Sequence, residues 1–111
     1  MHNFVILTIN PGSTSTKIAV FENETELFSQ SVEHTSTDLE SFLTVNEQFE
    51  FRKKTVQKIL SAHRFDLNRL TAVVGRGGLL PPIDAGGYRI NQAMKELILS
   101  GQLSPHAANL G

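Results

Sequence analysis

At 111 residues, 40% of them hydrophobic and 19% charged, the chain has room for one soluble domain with a modest core. A formal net charge of −1 sets up no long-range field for nucleic acid or an anionic membrane, so neither is an expected partner. With no cysteine there is no disulfide framework and no thiolate metal site, which fits a reducing, cytoplasmic setting.

Phe4-Val5-Ile6-Leu7-Thr8-Ile9 predicts a strand over 4–9. The start before it lacks a basic segment, so no signal peptide is expected, and no run reaches the ~20 apolar residues of a membrane helix. Further strands are predicted over 16–21 and 26–33, joined by a hairpin turn at Glu22-Asn23-Glu24-Thr25. Phe42, Val45, Phe49, Val56, Ile59 and Leu60 recur at helical spacing, which predicts a helix over 38–63 with Asp38 as its N-cap. Glu50 and Lys54 form a supporting pair on it, and Arg52-Lys53-Lys54 reads as a solvated face. Leu70-Thr71-Ala72-Val73-Val74 suits a buried strand. Asn91 caps a last helix through Ser100, with Gly101 as its stop.

The chemistry concentrates between the first two strands, in Asn10-Pro11-Gly12-Ser13-Thr14-Ser15-Thr16-Lys17. Pro11-Gly12 suits the centre of a type II turn, which leaves backbone N–H groups facing one concavity, a favourable place for an anion. Beyond it the period of two lets Ser13, Ser15 and Lys17 point the same way, while the Asn10 amide can donate to an oxyanion. The same residues also make ordinary hairpin turns. A Walker A loop is excluded, because Thr16 precedes the lysine, Ile18 follows it, and a strand comes next.

Gly75-Arg76-Gly77-Gly78 places an arginine at a strand exit, where its planar fork can hold a carboxylate or phosphoryl group or pair with a surface carboxylate. The apolar loop Leu79-Leu80-Pro81-Pro82-Ile83 either lines a small acyl pocket or packs into the core. The four histidines lack metal spacing: His34 and His63 read as surface residues, His2 as part of a terminus, and His106 as a residue near a helix start. No metal ligand is assigned to the protein itself.

The segment from Ile9 to Phe21 resembles the amino-terminal signature of the acetate and butyrate kinase family. Ala72-Val73-Val74-Gly75-Arg76-Gly77-Gly78-Leu79-Leu80-Pro81-Pro82-Ile83 and His106-Ala107-Ala108-Asn109-Leu110-Gly111 look like two further blocks of butyrate kinases. The resemblance implies an α/β fold, the ribonuclease-H-like half-domain of the acetate-and-sugar-kinase/actin superfamily, with a mixed sheet. It implies reversible phosphoryl transfer from ATP to the carboxylate of butyrate or another short-chain fatty acid. Mg²⁺ would arrive with the nucleotide. By the same resemblance Arg76 and Asn10 are catalytic, and Gly12, Ser13, Thr14, Ser15 and Lys17 bind phosphate. Arg76, Gly77, Gly78, Leu80 and His106 face the acyl substrate.

Two departures qualify this. Gly75 stands where acetate kinases carry a histidine, which removes bulk beside Arg76 and suggests room for a four-carbon acid. The chain also stops inside the third block, before the sheet's last strand and the nucleotide-binding domain. Residues 1–111 are therefore expected to form an amino-terminal acyl-kinase fragment, inactive alone and prone to self-associate as a homo-oligomer through exposed sheet edges. An acetate, propionate or branched-acid kinase and a non-catalytic phosphate-binding or interaction fragment are the alternatives.

Overall fold

The computed structural model describes residues 3–77, 80–100 and 106–111. Strands β1 (Val5–Pro11), β2 (Ser15–Glu22) and β3 (Thr25–Glu33) form two successive antiparallel hairpins. The second turns on Asn23, whose φ of 55° is a left-handed conformation that asparagine tolerates well. Its N–H donates to the Phe4 carbonyl at 2.8 Å and its Oδ1 accepts from the Phe4 N–H at 3.0 Å, tying the turn to the start of β1.

The chain then leaves the sheet through α1 (Ser36–Glu40), a 3₁₀ turn at Val45–Gln48 and α2 (Phe49–Ala62). It returns as β4 (Ala72–Gly75), parallel to β1, as a crossover connection allows. The result is an α/β fold with a mixed sheet in the order β3-β2-β1-β4, followed by α3 (Gln92–Ser100) and a 3₁₀ turn at Ala107–Leu110.

One face of the sheet is apolar and α2 covers it. Val5 and Leu7 of β1 and Ile18 and Val20 of β2 meet Val56, Ile59 and Leu60 of α2, with Phe28, Val32, Phe65 and Leu70 around them. Burying these side chains is the main force holding helix to sheet, at about 1.5–3 kcal/mol for each large aliphatic group.

Three sequence expectations change. The helix predicted over 38–63 is broken, because Thr35 rather than Asp38 caps α1. The Thr35 hydroxyl accepts from the Asp38 N–H at 3.1 Å and the Asp38 carboxylate accepts from the Thr35 N–H at 3.2 Å, a reciprocal capping box. Thr44 starts the next segment by accepting from the Glu47 N–H. Glu50 and Lys54 close no ion pair; among the described residues the one formed is Arg69–Glu22 at 3.8 Å. Finally, β4 is not buried: it lies at the sheet's edge, and Val73 on its α2 side is 56% exposed. Asn91 caps α3 as expected, its Oδ1 accepting from the Met94 N–H at 2.9 Å, and Gly101 lies outside the described residues.

Candidate functional site

The turn between β1 and β2 is tighter than the sequence suggests. Pro11 is still in β1, buried and paired with Thr16, and the Gly12 N–H donates to the Ser15 carbonyl at 2.8 Å. Ser13 and Thr14 therefore form the tip, and Gly12 does not take the positive φ of a type II turn. A Cβ at position 12 would lie 2.8 Å from Ser15 Oγ, so any larger residue there must displace the Ser15 hydroxyl.

The tip's carbonyls are all engaged from within the molecule. Ser13 O accepts from Arg52 Nη2 at 3.3 Å, Thr14 O from the His34 backbone N–H at 2.7 Å, and Ser15 O from Arg52 Nη1 at 2.7 Å. The Ser13 and Thr14 N–H groups have no acceptor among the described residues, and both residues are exposed. The tip thus faces outward with donors, the arrangement an anion needs.

Register places further polar groups beside it. Asn10 pairs with Lys17 across the β1–β2 ladder, and both are exposed on the face opposite Pro11, Thr16 and Ile18. Ser15 shares that outer face of β2 with Lys17. Arg76 follows β4 directly, and its N–H donates to the Ile9 carbonyl at 3.0 Å, so it sits next to Asn10 at the same end of the sheet. Asn10, Lys17 and Arg76 are thereby brought to one sheet end with the turn.

The other substrate candidates lie apart from this group or carry a structural contact. Gly77 is exposed, with open space where a Cβ would stand, and Gly78 lies outside the described residues. Leu80 lines an apolar hollow of ≈ 270 Å³ with Pro81, Ile83, Tyr88, Met94 and Leu97, a lining that includes neither the turn nor Arg76. His106 caps the turn at Ala107–Leu110, its Nδ1 accepting from the Ala108 N–H at 3.0 Å. Gly75 does not open a space beside Arg76. The backbone of Gly111 fills it, and a Cβ on Gly75 would come 2.5 Å from Gly111 C.

Two residues read as solvated in the sequence are buried behind the turn. Arg52 is 4% exposed and His34 7% exposed. Arg52 Nη1 donates to Thr16 Oγ1 at 3.2 Å, and Nε donates to Gln48 Oε1 at 3.0 Å. Thr16 Oγ1 lies 2.8 Å from His34 Nε2. Burial, and next the Arg52 charge, hold the His34 pKa below its ordinary value. Burial likewise lowers that of Arg52. The signal for Arg52 was present in the spacing: 52, 56, 59 and 60 form the buried stripe of α2. His63 is exposed as expected and stacks on Phe28 at 4.1 Å.

Among the described residues no cluster of three or more His, Cys, Asp or Glu side chains could hold a metal ion. Nor is any helix there long and apolar enough to cross a membrane.

No protein-family model matches the chain. It is 53% identical over 108 residues to a protein named butyrate kinase 2 from Clostridium acetobutylicum, covering 97% of this chain and 30% of that protein. A protein named probable butyrate kinase from Clostridium botulinum is 48% identical over 109 residues, covering 98% of this chain and 31% of its own length. One of the same name from Listeria monocytogenes is 45% identical over 109 residues, with the same shares. The chain thus spans under a third of the curated relatives it matches.

Proposed function

We infer that this chain, a homologue of butyrate kinases over almost its whole length, supplies the phosphate-facing part of a short-chain fatty acid kinase. The reaction is reversible phosphoryl transfer between ATP and the carboxylate of butyrate or a similar acid, giving acyl phosphate and ADP. The α/β fold with its mixed sheet is read as a half-domain of the ribonuclease-H-like kind found in acetate and sugar kinases and actin. Adenosine contacts belong to a second domain.

The observation that carries this reading is the donor-only tip. With Ser13 O turned to Arg52, the Thr14 N–H of the same peptide faces away from it and, with the unpaired Ser13 N–H and the nearby hydroxyls, is left for phosphate oxygens. Gly12, Ser13, Thr14 and Ser15 hold the phosphate and Lys17 adds positive charge beside it. Asn10 orients it through its amide, and Arg76 clamps the carboxylate against the phosphoryl group with its planar fork. Such chemistry depends on positioning and charge stabilisation more than on covalent steps. Mg²⁺, bound mainly by nucleotide phosphates, would neutralise part of their charge.

The cytoplasm is the expected setting for such an enzyme.

The test is acyl hydroxamate formation by a full-length kinase carrying these residues, assayed with acids of two to five carbons. Butyrate should be the preferred substrate, and Arg76→Ala should lower turnover at least about a hundredfold, the scale of losing one transition-state donor. Undiminished turnover in that variant removes Arg76 from the site. No acyl phosphate from any acid removes the kinase reading.

A further inference from the structure

The arginine behind the turn has a role that the phosphate reading does not by itself assign. We infer that Arg52 is the positioning residue of the phosphate turn, holding Ser13 O inward so that the Thr14 N–H of the same peptide unit faces the ligand. The inference rests on the phosphate reading of the turn above.

Three observations converge on it. The guanidinium makes four hydrogen bonds, to Ser13 O, Ser15 O, Thr16 Oγ1 and Gln48 Oε1, and three of the four acceptors lie within the turn and the start of β2. A lysine has no rigid fork with which to span Ser13 O and Ser15 O together. All four acceptors are neutral, and among the described residues no carboxylate pairs with Arg52. A buried cation without a counter-charge is costly for folding alone. That cost has a purpose if an anion binds on the far side of the Ser13–Thr14 peptide. Hydrogen bonding to Ser13 O also polarises the Ser13–Thr14 peptide and strengthens its donor, the Thr14 N–H, since such chains are cooperative.

Arg52 contacts no ligand in this scheme; it acts through Ser13, Thr14 and Ser15. Thr14 O is held by the His34 backbone N–H rather than by Arg52, so the tip is fixed from two elements, α2 and the end of β3.

The test uses the full-length kinase and two kinds of measurement. In the first, Arg52→Lys and Arg52→Met are compared with wild type for KM of ATP, KM of butyrate and kcat, with the fold checked by circular dichroism. The expected result is a rise in KM for ATP or a fall in kcat of about tenfold to a hundredfold, as for a misplaced binding group, with KM for butyrate little changed. Arg52→Lys should recover part of the loss by keeping the charge. Folded variants with wild-type constants would overturn the inference, as would losses that merely track the folded fraction.

The second measurement needs no variant. In isotope-labelled wild-type protein, the Ser13 and Thr14 amide resonances and the Arg52 Nε–H resonance are followed as ADP with Mg²⁺ is added. All three should shift together with one saturation midpoint. Amides that do not respond would sink the phosphate reading of the turn itself. Amides that shift while Arg52 Nε–H stays fixed would leave that reading standing and refute the role of Arg52.

Discussion

Thr16 Oγ1 sits between Arg52, which donates to it at 3.2 Å, and His34 Nε2, 2.8 Å away. Thr16 is 1% exposed, so neither neighbour can be replaced there by water. A protonated His34 would place its charge in a buried site facing the Arg52 guanidinium. The folded protein therefore keeps this imidazole neutral, with its pKa lowered from 6.5 first by burial and then by Arg52. In the unfolded chain the ring takes up a proton at a higher pH than in the native state. The stabilising contribution is thus complete above the unfolded value and is lost as pH falls toward the lowered folded one. Urea unfolding at about pH 7.5 and about pH 5.5, either side of the usual histidine range, should show wild type losing more stability than His34→Gln. Equal losses would mean that His34 is not held neutral.

At the scale of the element, α2 shows why spacing is more informative than residue type. Its buried stripe at 52, 56, 59 and 60 was partly legible from Val56, Ile59 and Leu60, but a basic run hid Arg52 within it. The helix ends in a motif whose bonds are specific: the Arg64 N–H donates to Ser61 O at 3.0 Å and the Phe65 N–H to Leu60 O at 3.0 Å. This brings Phe65 back against the core and requires Arg64 to adopt φ 53°. A left-handed backbone strains any residue with a Cβ, by about 1–2 kcal/mol. Arg64→Gly should therefore raise stability by about 0.5–1 kcal/mol once the added freedom of the unfolded chain is subtracted. A fall in the urea midpoint would show that the arginine side chain contributes more than its backbone costs. The same element explains the broken helix before it, since two threonine caps, at 35 and 44, each start a new segment.

For the whole molecule, the uncovered part of the sheet dominates. Between α2 and the β1–β4 edge lies an apolar groove of ≈ 370 Å³, bordered by Leu7, Ile9, Val56, Leu60, Leu70 and Val73. An edge strand with exposed valines offers both unpaired backbone and apolar surface to another chain. The 111-residue polypeptide by itself should accordingly sediment with a concentration-dependent dimer fraction, and Val73→Lys should reduce that fraction. The same polypeptide should form no acyl phosphate, because it spans 30–31% of the kinases it resembles. A strictly monomeric wild-type chain would show that the groove and edge do not drive association.

The amino-acid sequence by itself determined the strands, the hairpin after Glu22, the Asn91 cap and the place of the turn between β1 and β2. Each of these depends on neighbours a few residues apart, through period two, capping hydroxyls and turn chemistry. Only the tertiary structure decided that β4 is an exposed edge, that Gly75 makes way for Gly111, and that the turn's tip is Ser13-Thr14. It alone brought Arg52 and His34, 39 positions from Ser13 and 20 from Thr14, beneath the carbonyls they hold. Burial of a cation and of an imidazole depends on which distant polar groups can receive them, and that is settled by packing α2 and β3 against the sheet rather than by local residue type.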